Sequence, residues 1–145
     1  MEAAKHPVVE RLLEAMNRHD LDAMVECFQE DYRSEQPLHP DRYFLGREQV
    51  RKNWGLMFEE VPDLKADLLR STTSGDEAWT EWRMHGAKLD GSPFEYRGMA
   101  IWGIRDDRIA WARLYFEPVE AEGGGIDDSI QRLVRRSPVD RDGSS

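Results

Sequence analysis

The chain has 145 residues, 39% of them hydrophobic and 34% charged, with a formal net charge of −9. That length fits one domain that buries roughly two thirds of its unfolded surface, and the acidic balance argues against nucleic acid, whose phosphates demand Lys and Arg. Met1 to Lys5 lack an apolar signal core, no apolar run is long enough for a bilayer, and the single Cys27 cannot close an internal disulfide, so a reducing, cytoplasmic location is the default expectation.

Pro7 suits the first position of a helix, where its missing N–H costs nothing. Val8, Val9, Leu12, Leu13 and Met16 then form an apolar stripe at helical spacing. Asp20 is a good N-cap for a second helix carrying Leu21, Met24, Val25 and Phe28 on one face. Cys27 lies beside that stripe and reads as a small core side chain, since no neighbour in sequence would lower its pKa. A short extended segment, Tyr32 to Gln36, leads into a Pro-, His- and Asp-containing loop from Pro37 to Arg42. Gly46 opens a third helix that runs through Glu60, with Val50, Trp54, Met57, Phe58 and Val61 inward, and Pro62 stops it.

After Asp63 the period changes to two. Leu64, Ala66 and Leu68 alternate with polar residues up to a Ser74-Gly75-Asp76 turn. A strand from Ala78 to Leu89 follows, then the hairpin signal Asp90-Gly91, a return strand from Phe94 to Ile104, a turn at Asp106-Asp107 and a last strand from Ile109 to Glu117. Strands this long imply a large, twisted, curling sheet. Gly123-Gly124-Gly125 interrupts the pattern, so the domain is expected at 1–122 and a Gly-rich linker, short helix and flexible tail at 123–145. Ile126, Ile130, Leu133 and Val134 give that helix an apolar side. The basic run from Arg132 to Arg136 reads as its solvated end.

Both faces of the strand run carry large side chains. Trp111 and Tyr115 alternate with Leu114 and Phe116, while Tyr96, Trp102 and Ile104 oppose Met99 and Ile101. Helices can cover one face. The other has no element left to cover it, which predicts a homodimer through the sheet.

The order of helix, helix, strand, helix and four-strand meander resembles the nuclear-transport-factor-2-like superfamily, and within it the SnoaL-like (polyketide-cyclase-like) group. The residues that carry the likeness are His6-Pro7 through Phe28, Gly46-Arg47-Glu48, and Ile109 to Glu117, over roughly residues 6 to 120. The last segment resembles the family pattern of an arginine followed by an aromatic and an acidic residue. The resemblance implies an α+β cone, a curved mixed or antiparallel sheet wrapped around three N-terminal helices, with a small-molecule chamber inside. It does not choose a chemistry, because this fold hosts isomerases, cyclases, dehydratases, epoxide hydrolases and plain binding proteins. In limonene-epoxide-hydrolase-like members a catalytic Asp precedes the terminal acidic residue of the last strand by three positions. Leu114 stands there and can move no proton. The acidic pair flanking an arginine is also reduced here, to Glu81-Trp82-Arg83. Polyketide cyclases use an acid/base Asp with a nearby His, for which Glu81, His85 and Glu117 are stand-ins by type.

The residues themselves leave two arrangements open. Glu81, Arg83 and His85 share one face of their strand with Trp79, and Arg113 and Glu117 share a face with Trp111 and Tyr115. If those faces coincide, cross-strand pairs such as Glu81–Arg113 or Arg83–Glu117 form. At a pocket wall such a cluster would serve acid–base chemistry, with Glu81 or His85 as acid/base and Arg83 steadying negative charge. On the convex face it would be a set of ion pairs at or beside a dimer interface. Should Leu114 point inward, the pocket is lined by Ala112, Leu114 and Phe116 and is mostly apolar. Trp54 and Phe58, one helical turn apart, are candidate ligand contacts or plain core, and His39 and Tyr43 lie in the loop expected over the pocket mouth. Glu35, near the end of the first strand, is a further candidate.

The four histidines show no metal-ligand spacing, the triple glycine lacks the lysine of a phosphate loop, and no serine stands in a nucleophile-elbow sequence. No metal or cofactor is therefore expected. The leading expectation is a cofactor-independent SnoaL-like enzyme of isomerase, cyclase or hydrolase type acting on an apolar, oxygenated metabolite. The alternatives are a non-catalytic ligand-binding module and a dimeric interaction protein with a filled core.

Overall fold

A computed structural model describes residues 6–135. Helix α1 (Pro7–Arg18) starts where the His6 ring accepts the Val8 N–H at 3.1 Å. It ends at His19, held in the left-handed region at φ 56°. Asp20 caps α2 (Leu21–Glu26) through its side-chain oxygen, 3.1 Å from the Ala23 nitrogen. Of the expected stripe, Val8, Val9, Leu12 and Met16 are buried and Leu13 is half-buried, while Ala15, outside that stripe, is buried with them.

The chain departs from expectation after α2. Phe28, placed on the helix face by the sequence reading, instead opens β1 (Phe28–Glu35). The cause is long-range: β1 pairs in parallel with β6 (Arg108–Pro118), Phe28 opposite Ile109, and the Ile109 N–H donates to the Cys27 carbonyl at 2.8 Å. A two-residue strand β2 (Phe44–Leu45), which the sequence reading lacks, then pairs with Arg33 and Ser34. Helix α3 (Arg47–Glu60) follows Gly46 at φ 94°. The meander is β3 (Lys65–Ser74), β4 (Glu77–Ala87), β5 (Pro93–Arg105) and β6. β4 stops two residues before the expected Leu89 because Lys88 to Ser92 form the hairpin loop. Asp106 and Asp107 sit at φ 54° and 61°, the paired positive φ that a tight two-residue hairpin requires.

The six strands make one mixed, open sheet in the order β2-β1-β6-β5-β4-β3. All neighbours are antiparallel except β1 and β6. Bulges in β1, β3 and the β5–β6 ladder bend it. Gly98 allows a close approach, because a Cβ there would collide with the Tyr115 carbonyl of β6. Asn17 ties α1 to the β3 edge, its amide bonding both the N–H and the C=O of Ala66 at 2.7 and 3.0 Å. The helices thus occupy one face of an α+β cone, as expected. A helix α4 (Ile126–Arg135) follows Gly123 to Gly125, and its Ile126, Ile130, Leu133 and Val134 are exposed. The end of the expected flexible tail, residues 136–145, lies outside the described residues.

Candidate functional site

Strand alternation decides which side chains can meet a ligand. On β4, Ala78, Thr80, Trp82 and Met84 are buried on the helix side, while Trp79, Glu81, Arg83 and His85 face the other way. Ladder partners share a face, so Tyr96, Ala100 and Trp102 of β5 and Ala112, Leu114 and Phe116 of β6 join the inner set. On β1 the inner set is Phe28, Tyr32 and Ser34.

Between this inner face and the helices lies a cavity of about 330 Å³. The sheet wall is aromatic: Phe28, Tyr32, Trp82, Tyr96, Trp102 and Phe116. Leu12, Met16, Met24 and Val50 close it from the helices, with Trp54 and Met57 on α3. Of α3 only Val50 is fully buried, and Leu56 lines the cavity while 59% exposed. The opening therefore runs beside α3.

The polar complement is small. The indole N–H groups of Trp82 and Trp102 both donate to the Thr80 hydroxyl, at 2.7 and 3.0 Å, and that hydroxyl donates to the Ala100 carbonyl at 2.8 Å. Both tryptophans consequently present apolar ring to the cavity. Gln36 accepts from Arg42 at 3.0 Å, and the Asn53 side-chain oxygen accepts from Gln49 at 2.8 Å. Ser34 differs: its hydroxyl is buried with no hydrogen-bond partner. Burial pushes the neighbouring Tyr32 phenol far above its ordinary value, and the nearby Ser34 oxygen works the other way, although the two do not reach hydrogen-bond geometry. Burial also raises Tyr96, against the pull of Arg42. No carboxylate, histidine, lysine or arginine is among the lining residues, so the walls hold no group that exchanges a proton near neutral pH.

The candidate residues divide accordingly. Trp54, Leu114 and Phe116 line the cavity. Phe58 does not; it stacks on the His19 ring at 4.3 Å, whose Nε2 lies 2.8 Å from the Leu64 carbonyl oxygen. Tyr43 instead borders a shallow hollow with Glu35, Pro37, Pro40 and Arg113. His39 bonds Glu117 at 2.5 Å rather than reaching inside.

Glu81, Arg83 and His85 are turned away from the cavity by the period-two alternation that brings Trp82 and Met84 to it. Their partners are outer-face charges. Arg83 meets Glu95 at 2.9 Å and Asp67 at 3.4 Å, His85 meets Asp67 at 3.2 Å, and Glu81 lies 3.7 Å from Arg70. The Arg83 hydrogen bond holds the Glu95 carboxyl below its ordinary range, with Arg97 assisting. The expected Glu81–Arg113 pair is replaced by Arg113–Glu35 at 3.7 Å. Arg83 and Glu117 are separated by Arg97, which sits opposite both.

Sequence reading missed Ser34, Tyr32, Trp82 and Met84 as lining residues. Parity was the available signal for the last two, since an outward Glu81–Arg83–His85 requires an inward Trp82–Met84. Cys27 is a core residue, its thiol directed at the Ala23 carbonyl and pushed up to about 11 by burial. Among the described residues no group of His, Cys, Asp or Glu could hold a metal ion, and no helix is long and apolar enough to cross a membrane.

The family model of the SnoaL-like domain matches residues 9–112. Among curated proteins, no sequence matches the chain. Among solved structures, a Catenulispora acidiphila protein with a ketosteroid-isomerase-like fold, crystallised with trimethylamine, superposes with a TM-score of 0.68 at 16% identity, over 77% of this chain and 86% of that one. A Sinorhizobium meliloti protein provisionally named a polyketide cyclase gives 0.60 at 25% identity, over 74% and 93%. A nuclear-transport-factor-2-like protein from Anabaena variabilis gives 0.65 at 21% identity, over 77% and 85%.

Proposed function

The chain belongs to the SnoaL-like domain family, and from that premise we propose that it binds a neutral, apolar, oxygenated small molecule in its inner cavity and holds it without acid–base chemistry. The observation that carries this reading is the lining itself. Three tryptophans, the four further aromatic side chains Phe28, Tyr32, Tyr96 and Phe116 of the sheet wall and several aliphatic ones surround the space, and no ionisable group other than two tyrosines faces it. A pocket of this kind gains affinity from buried apolar area. A charged ligand would be desolvated there with no counter-charge.

The catalytic alternative requires a proton-exchanging group within reach of the ligand. Glu81, His85 and Arg83 stand on the opposite face, engaged with Arg70, Asp67 and Glu95, which favours the binding reading. The proposal includes a homodimer formed through the outer sheet face, where Trp79 and Met99 are 42% and 41% exposed among the ion pairs. It also includes residence in the cytoplasm, where the buried Cys27 thiol stays reduced.

The test is a thermal-shift series with flat polycyclic aromatics, terpene epoxides and sterols on the wild type and on Leu114→Trp, which fills the cavity. A ligand at 100 times its Kd adds about 2.7 kcal/mol, a rise of several degrees for a chain of this size. The expected result is a rise for the wild type that Leu114→Trp abolishes. A rise that survives in the filled variant would place binding elsewhere.

A further inference from the structure

Ser34 is 0% exposed, and its hydroxyl is buried with no partner. It belongs to the inner face of β1 and to the cavity lining, opposite Ala112 of β6, whose methyl group offers nothing to bond. A hydroxyl in apolar surroundings carries a desolvation cost that only a hydrogen bond offsets. The other polar side chains of the lining are differently placed. The indole N–H groups of Trp82 and Trp102 are spent on Thr80, the Gln36 oxygen on Arg42 and the Asn53 oxygen on Gln49, while Trp54 stands on α3, across the cavity from the sheet. The Tyr32 phenol lies near Ser34, on the same face two residues earlier.

We propose that the Ser34 hydroxyl is the polar anchor of the cavity, donating its hydrogen bond to a single carbonyl or hydroxyl oxygen on an otherwise apolar, uncharged ligand. This rests on the chamber reading above and narrows it to ligands with one such oxygen at the β1 end of an aromatic body. Ser and Tyr hydroxyls both donate and accept, so a ketone and an alcohol share the chemistry the site recognises. A carboxylate finds no cation among the lining residues, and an ammonium finds no carboxylate.

The experiment is calorimetric titration of wild type and Ser34→Ala with probes of one shape. 2-Acetylnaphthalene carries the oxygen, 2-isopropenylnaphthalene replaces it with a methylene, 1-(2-naphthyl)ethanol carries a hydroxyl, and 2-naphthoate carries a charge. The wild type is expected to bind the ketone about tenfold more tightly than the alkene, the alcohol nearly as well, and the naphthoate more weakly than either. Ser34→Ala brings the ketone to within about twofold of the alkene and leaves the alkene unchanged. Its thermal midpoint without ligand is unchanged or raised, since the oxygen removed had no partner.

Equal binding of ketone and alkene by the wild type would overturn the anchor and leave the chamber standing, with a water on Ser34 and Tyr32 as the occupant. A preference that persists in Ser34→Ala would move the anchor to another group. A lowered midpoint in the ligand-free variant would make Ser34 structural and overturn the anchor. Failure of the wild type to bind either neutral probe would overturn the chamber reading and the anchor together.

Discussion

Trp82 and Trp102, edge to face with ring centroids 6.3 Å apart on adjacent strands, share one hydrogen-bond acceptor, the hydroxyl of Thr80. That convergence fixes both indoles against the sheet and leaves their apolar surfaces as cavity wall. It also concentrates the polar satisfaction of three buried side chains in one atom. Thr80→Val preserves shape and removes the acceptor, leaving two buried N–H groups unpaired. The expected loss is about 2–4 kcal/mol of unfolding free energy, read from a urea titration, with Thr80→Ser losing clearly less.

Trp54 and Phe58 are neighbours on α3, 5.8 Å apart, yet only Trp54 reaches the cavity. Trp54→Ala is expected to weaken binding of a naphthyl probe roughly fivefold or more through lost apolar contact. Phe58→Ala, which removes the ring stacked on His19, should cost about 1–3 kcal/mol of stability and spare affinity. Calorimetry and thermal unfolding on both variants separate the roles, and the reverse pattern would refute this assignment.

Glu81 and His85 lie on the face opposite Trp82 and Met84. Glu81→Gln and His85→Asn are therefore expected to leave probe affinity within about twofold of wild type. A tenfold change in either variant would tie the outer face to the ligand.

Glu95 titrates below its ordinary range because Arg83 bonds its charged form, with Arg97 adding to the effect. A folded-state pKa below the unfolded value means a contribution present above the unfolded value of about 4.3 and lost as pH falls through the folded one. Unfolding free energy measured from pH 6 downward should fall more gently in Glu95→Gln than in wild type. Parallel curves would assign the acid sensitivity to other carboxyls.

Trp79 is the most exposed tryptophan side chain of β4 to β6 and sits among the outer-face ion pairs. If copies pair through this face, light scattering gives twice the 16.9 kDa chain mass, and Trp79→Glu, which places a charge on both partners, returns a monomer. A monomeric wild type at micromolar concentration would refute the pairing.

The sequence by itself determined the three amphipathic helices, the hairpin turns at Gly91 and Asp106-Asp107, and the alternation along each long strand, because those signals live within a few residues. Pro7, Asp20 and the Val8-to-Met16 stripe mark helix ends and faces locally, and period two places Tyr96 and Trp102 opposite Met99 and Ile101. What only the tertiary structure decided is which side of the sheet is inside. Alternation separates Trp82 from Arg83 but carries no sign, and the sign came from the helices packing over one face. Phe28 likewise has the apolar character of a helix face and became a strand residue through pairing with Ile109, distant in sequence. That parallel β1–β6 pairing set Ser34 against Ala112. The hydroxyl was thereby left without a partner beside an aromatic cavity, a relationship between segments that no local pattern contains.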